Sequence, residues 1–241
     1  MSPALGDWDL GQLAVHISHA IDTTTAMANG GGNLLGDIWQ LSSLSGVMIR
    51  GEGRRSLAEV ADRIDVGVAA FLDAMAEGGG DGDALRPWLV TGTALPLSAL
   101  TCEVLSELTV HGLDVARAIG APWPIDPAHA VLIVSGFLLP SLNALGRSVV
   151  DQAAAGLVRA RFAVHLRGGG RAWLRFHDGD FLVEPSPQGL VDCHLSVDPA
   201  AFLLVSWGRT GQWPAIARGQ LLAWGRKPWL GLKLRSWLRN P

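Results

Sequence analysis

The hydrophobic period of this chain changes near residue 156, and that change limits the fold more than any other feature. Before it, apolar residues recur at helical spacing. After it, VRARFAVHL (158–166) and RAWLRFH (171–177) alternate polar and apolar positions, the period of a half-buried strand. A chain that switches in this way is α+β. It reads as an up-down helical bundle over residues 1–155, followed by a small α+β domain with an antiparallel sheet over 156–241. The 241 residues suffice to bury a core, and 49% hydrophobic against 17% charged residues excludes a disordered chain.

Local signals mark the elements. A helix is expected over 8–28, after Asp7 as N-cap, closed by the glycine-rich GGGNLLGD. Ser56 with Glu59 three positions on is a capping box and predicts a helix over 57–77, stopped by GGGDGD. Pro96 and Gly120 bracket a helix over 97–119. Asp126-Pro127 opens another, to about residue 149, made irregular by Gly136 and Pro140. In the second part, GGGR turns the chain between the first two strands, and Asp178-Gly179 predicts a tight hairpin into DFLVEP. VDCHLSVD (191–198) is a fourth strand, Asp198-Pro199 opens a helix, and the remainder to Pro241 is expected to be helical.

Charge supports two parts. Residues 1–158 hold 17 acidic and 7 basic residues, a balance of −10, whereas residues 159–241 hold 5 acidic and 12 basic, a balance of +7; together they give the net −3. Either the halves attract each other or the basic half meets an anionic ligand or surface. Two distant cysteines, Cys102 and Cys193, speak against a disulfide framework and an all-cysteine metal site. The stretch 131–142 is apolar but short of the ~20 residues a membrane span needs. The first residues lack a basic start and an apolar signal core, which points to the cytoplasm. No nucleic-acid-reading motif is present.

The third expected helix is mostly apolar, yet it carries Glu107, His111 and Asp114. At 100° per residue, His111 lies about 40° around from Glu107 and Asp114 about 20° the other way, with Glu103 near the same line. A buried polar stripe needs a partner, solvent or a metal. Glu and His at this spacing can share one divalent ion, with a third ligand from the first helix, either His16 or His19. The competing account is a solvated or salt-bridged helix face.

Two motifs are familiar. WDLGQLAVH, with Trp8 eight residues before His16, and SELTVHGLDVARAIG, of the form Glu-x-x-x-His-x-x-Asp-x-x-x-x-x-Gly, together resemble the mycothiol-dependent maleylpyruvate isomerase family of DinB-like metal-binding bundles. The segment VDCHLSVDPAAFLLVSWGRTGQWPAIARGQLLAWG resembles the ending of that family's sterol-carrier-like domain. The resemblance implies metal ligands at His16, Glu107 and His111, with Asp114 behind them or as a helix contact. It also implies a divalent metal, zinc by preference, and a low-molecular-weight thiol such as mycothiol as cosubstrate. In the family reaction that thiol adds to the double bond of maleylpyruvate and leaves after rotation. Arg209, in a Gly-Arg turn of the basic half, is the candidate for holding an anionic, electrophilic substrate; the alternative is an ordinary loop arginine.

Two other functions remain open. Five of the ten tryptophans fall in the last 35 residues, which suits a carrier of apolar ligands as well as core and interface packing. The basic, aromatic GRKPWLGLKLRSWLR, with Leu230, Leu234, Trp237 and Leu238 on one helical face, suits a membrane surface or packing onto its own domain. A non-catalytic metal-binding regulator fits the metal ligands equally.

Overall fold

The computed structural model describes residues 4–53, 55–77 and 81–239. The chain forms two compact units that divide between Pro124 and Ile125. This is earlier than the division after residue 155 expected from the change of period. The reason is that the helical run after Asp126 packs with the strands that follow it, so helical period alone does not assign it to the first unit.

The first unit is helical. Helix α1 (Leu10–Ala28) is capped by Asp9 rather than Asp7: the Asp9 carboxylate accepts from the Gln12 N–H, and the Gln12 side chain accepts from the Asp9 N–H, each at 2.9 Å. A 3-10 turn (Ile38–Gln40) leads into α2 (Leu41–Gly51), a helix that the sequence reading passed over. Helix α3 (Leu57–Glu77) starts on the expected Ser56–Glu59 capping box, with backbone-to-side-chain bonds of 2.9 and 3.2 Å. Of the expected GGGDGD stop, residues 78–80 lie outside the described residues. A short hairpin follows, β1 (Leu85–Pro87) with β2 (Ala94–Pro96), also unforeseen. Then come α4 (Leu97–Ser106), a π-helical turn (Glu107–His111) and α5 (Gly112–Ile119), stopped by Gly120 in the left-handed region. Helix α1 packs along α3 and against α2, α4 and α5, and Leu13 and Ile21 of α1, Phe71 of α3 and Leu100 of α4 are buried. A smaller cluster joins Val15, Ile49 and Val60, with Trp8 beside it.

The second unit is mixed. Its helical run is α6 (Pro127–Ile133), a π-turn (Val134–Leu138), α7 (Leu139–Leu145) and a 3-10 turn (Gly146–Val149). The irregularity falls just before Pro140, which has no N–H to donate back along the helix. Among the described residues, Pro127–Val149 is the one helical run long and apolar enough, by length and composition alone, to cross a membrane; the 131–142 stretch within it remains shorter than a span. In this unit α6 nevertheless packs on a later helix, and Ile133, Val134, Phe137 and Leu139 are buried. After α8 (Gln152–Ala155) come β3 (Arg159–Leu166), β4 (Arg171–His177), β5 (Asp180–Glu184) and β6 (Cys193–Val197). Asp178 and Gly179 both take positive φ, 51° and 84°, so the expected Asp-Gly hairpin turn forms.

The segment read as helical to the end is broken up. It forms α9 (Pro199–Ser206), α10 (Gln212–Ala217), a fifth strand β7 (Leu221–Trp224), a 3-10 turn (Pro228–Leu232) and the short α11 (Leu234–Trp237). Strand order is β5-β4-β3-β6-β7. Three pairings are antiparallel, but β6 runs parallel to β3. Buried residues of β3 and β4, such as Phe162, Val164, Leu174 and Phe176, line the inner face; Arg161, Ala163, Trp173 and Arg175 lie on the other. Leu234 and Trp237 are buried, with the Trp237 ring against Phe162 and Phe176. The C-terminal apolar face thus packs onto its own unit. Both cysteines are free.

Candidate metal centre

Helix α1 and the π-turn bring His16, Glu107 and His111 together in the first unit. Glu107 Oε2 lies 3.6 Å from His16 Nε2 and 3.4 Å from His111 Nε2. One ligand atom from each of the three residues falls within 4.8 Å of both others. The imidazoles stand edge to face, ring centroids 4.9 Å apart. Three ligands held 2.0–2.1 Å from one ion at tetrahedral angles lie roughly 3.4 Å from one another, close to the two Glu–His separations.

Those separations are also too long for hydrogen bonds of ordinary strength. Glu107 Oε2 is withdrawn from solvent and has no hydrogen-bond partner among the described residues. Leaving a buried carboxylate oxygen unsatisfied is costly. Two imidazole nitrogens and this oxygen converging without bonding one another is the arrangement a shared divalent cation would satisfy, so the residues present fit a metal.

Behind His111, Asp114 is 4% exposed, and its Oδ2 is 3.0 Å from His111 Nδ1. An Nδ1–H directed at that carboxylate would orient the ring and leave Nε2 available as a metal ligand beside Glu107. Trp8 packs against His16, ring centroids 5.0 Å apart. His19, the other imidazole of α1, is directed elsewhere: its Nε2 meets Glu52 at 3.0 Å. Glu52 is further held by Arg55 and Arg63, at 2.6 and 2.7 Å. These partners, the His19 hydrogen bond foremost, keep the Glu52 carboxyl below its ordinary range. Arg209 belongs to the second unit, where its guanidinium donates to the Trp207 carbonyl at 2.8 Å.

Two features of the site escaped the sequence. The first is the π-turn, since a regular α-helix was assumed through 97–119. Trp123 Nε1 donates to the Thr109 carbonyl within the turn at 3.1 Å. Gly112 makes room for that indole, because a Cβ there would fall on the Trp123 ring. A π-turn often marks a functional site in a helix, but nothing in SELTVHGLD signals it locally. The second is Trp88, buried after β1, whose Nε1 donates to both oxygens of Glu103 at 3.3 Å. Burial, and then the neighbouring charge of Glu107, push the Glu103 carboxyl up to about 8, with the Trp88 hydrogen bond opposing. A carboxyl that holds its proton near neutral pH therefore sits one helical turn before Glu107.

No protein-family model matches this chain, and no curated protein matches it. Among solved structures it is similar to a stereoselective inverting sec-alkylsulfatase from Pseudomonas sp., at 12% identity and a TM-score of 0.36, over 60% of this chain and 25% of that one. It is also similar to the UbiJ-SCP2 ubiquinone synthesis protein, at 20% identity and a TM-score of 0.27, over 41% of this chain and 81% of that one. The chain thus spans a quarter of the length of the alkylsulfatase. A sterol-carrier-type protein is among the similar structures, but scores this low carry no argument, and no family match supports the maleylpyruvate isomerase resemblance.

Proposed function

We propose that the protein is a divalent-metal-dependent enzyme using a low-molecular-weight thiol of the mycothiol type, as an isomerase or S-transferase. His16, Glu107 and His111 would be its metal ligands. The observation that carries this reading is Glu107 Oε2, withdrawn from water, without a hydrogen bond, and facing one imidazole nitrogen from each of two helical segments. Three protein ligands leave a further position for a small molecule, as in catalytic rather than structural sites. When bound, an ion of the zinc, nickel, cobalt or manganese kind would lower the pKa of a thiol at that position, so that thiolate forms near neutral pH.

The protein's own groups do the positioning. Asp114 orients His111 through Nδ1, and the Trp8 ring restricts His16. In the isomerase form, the thiolate sulfur adds to a carbon–carbon double bond conjugated to a carbonyl. The former double bond, now single, rotates, and the same C–S bond breaks to return thiolate and the trans alkene. No oxidant or reductant is consumed. Maleylpyruvate is the example of such a substrate.

Elemental analysis of protein purified without added metal tests the reading. About one equivalent of a divalent transition metal is expected, falling below a tenth in His16→Ala, together with thiol-dependent turnover in the unaltered protein alone. Metal-free wild-type protein that gains none on dialysis, or His16→Ala at full occupancy, would sink it.

A further inference from the structure

Helix α3 turns one flank into the first unit, through Val60, Phe71 and Ala74, and the other to water. On the outward flank Asp62, Asp65, Val66, Ala69, Leu72 and Asp73 follow at spacings of three and four, the period of one helix face. Val66 is 70% and Leu72 57% exposed. The exposed charges of α3 are Glu59, Asp62, Asp65, Asp73 and Glu77, all acidic. Its one cation, Arg63, is taken by Asp22 and Glu52 at 2.6 and 2.7 Å.

The five-stranded sheet has a solvent-facing side. Its register sets Trp173, Ala163, His194 and Trp224 in one row across β4, β3, β6 and β7, with Arg171 and Leu222 at the two ends of the next row. None of these six is buried, and Leu222 and Trp224 are 50% and 49% exposed. The Trp224 ring lies nearly flat on His194, centroids 5.6 Å apart at 17°. Among the cations of this side, Arg159 is held by Asp178, and Arg161 and Arg175 share Glu184. Arg171 is exposed and has no ion-pair partner among the described residues.

Large apolar side chains left in water on one face mark an interaction surface, and charge says which surfaces meet. Two α3 flanks would set Asp against Asp, and two sheet sides would gather arginines, so like faces repel. Whole-unit charge runs the same way. Residues 1–124 hold 15 acidic and 6 basic residues and residues 125–241 hold 7 and 13, balances of −9 and +6. A single-stranded nucleic acid needs a train of free cations for its phosphates, and the two rows offer it Arg171. A helix laid on a sheet buries both apolar faces, in the layered manner of ordinary domains. We propose that the protein self-associates, the outward flank of α3 in one copy docking on the solvent-facing side of the sheet in another. The two faces are unlike, so each copy has one of each to offer. The proposal is independent of the metal centre.

Sedimentation equilibrium of the full chain, from about 1 to 200 μM, tests it. One helix on one sheet side belongs among interfaces below ~1,200 Å², so a dissociation constant on the order of 10 μM is expected. The average mass should exceed that of one chain at the upper concentrations and return to it as salt rises. Asp62→Arg/Asp65→Arg and Arg171→Glu should each weaken association about ten-fold. Their equimolar mixture should recover it, since unlike charges face one another again. Trp224→Ala, which alters no charge, should also weaken it about ten-fold. All four positions are exposed, so circular dichroism should match the wild type. Should a variant misfold, Arg171→Lys keeps the charge and gives a carbodiimide an amine. In a mixture of isotope-labelled and unlabelled protein, that amine should couple to an α3 carboxylate of another copy. A single-chain mass at every concentration overturns the proposal, as do association that none of these variants changes, a charge-reversed mixture that stays apart, and coupling confined to one copy. So does tight binding of a single-stranded oligonucleotide, lost in Trp224→Ala, by protein that stays a single chain.

Discussion

Glu107 in the first unit and Glu184 in the second are both carboxylates drawn back from water, with side chains 21% and 5% exposed. Glu184 comes with permanent cations: Arg175 Nε at 3.0 Å and Arg161 Nε at 3.7 Å. Glu107 meets only imidazoles, and no Lys or Arg pairs with it or with Glu103 among the described residues. The second unit thus neutralises its buried carboxylate with its own side chains. The first leaves compensation to a proton at Glu103 and, on the proposed function, to a bound cation at Glu107. A buried carboxylate with a built-in guanidinium is compensated within the fold, whereas one facing only imidazole nitrogens is where the proposed metal would bind.

The contrast can be broken most directly at Glu107. Glu107→Gln and His111→Ala should each lower divalent-metal affinity by about a thousand-fold while the helices persist, as read by equilibrium dialysis beside circular dichroism. Full metal occupancy in both variants would remove the distinction drawn here. Glu184→Ala should do the reverse. Arg161 and Arg175 would lose their shared partner but are about a third exposed, so about 2–3 kcal/mol of stability should go in urea unfolding, with metal content intact.

Glu103 sharpens the comparison through pH. Its carboxyl keeps a proton to about pH 8 in the fold but only to about 4.5 when unfolded. A raised folded value means that stability is greatest below the unfolded pKa and declines as pH climbs through the folded one. The metal-free protein should therefore be less stable at pH 7 than at pH 5 by on the order of 2 kcal/mol from this group. Glu103→Gln should flatten that slope in paired unfolding curves; an unchanged slope would mean that Glu103 ionises freely. The smallest effect is expected at Gly112. An alanine there displaces the Trp123 indole from the Thr109 carbonyl. About 1 kcal/mol of stability and about ten-fold in metal affinity should be lost as the π-turn loosens. Calorimetric titration that gives wild-type affinity would show that the turn holds its shape without the indole.

Much of the fold was legible in the sequence wherever a signal is local. The capping box at Ser56–Glu59, the Pro96 and Gly120 boundaries, the Asp178-Gly179 turn and the alternation in 158–177 act over a few residues, and each of these elements stands where expected. The polar stripe on 97–119 was legible for the same reason, since burying Glu and His on an apolar helix asks for compensation whatever the partner. Only the tertiary structure decided the rest. It chose His16 over His19 by directing His19 to Glu52, and wound Glu107–His111 as a π-turn around Trp123. It also set β6 parallel to β3, recovered LLAW as an edge strand, and drew the helices from Asp126 onward into the second unit. Each of those outcomes is a choice among partners far apart in the chain. Caps and periodicity carry no information about it, because the free energy that selects a partner is the packing and charge compensation that exists only once the partners have met.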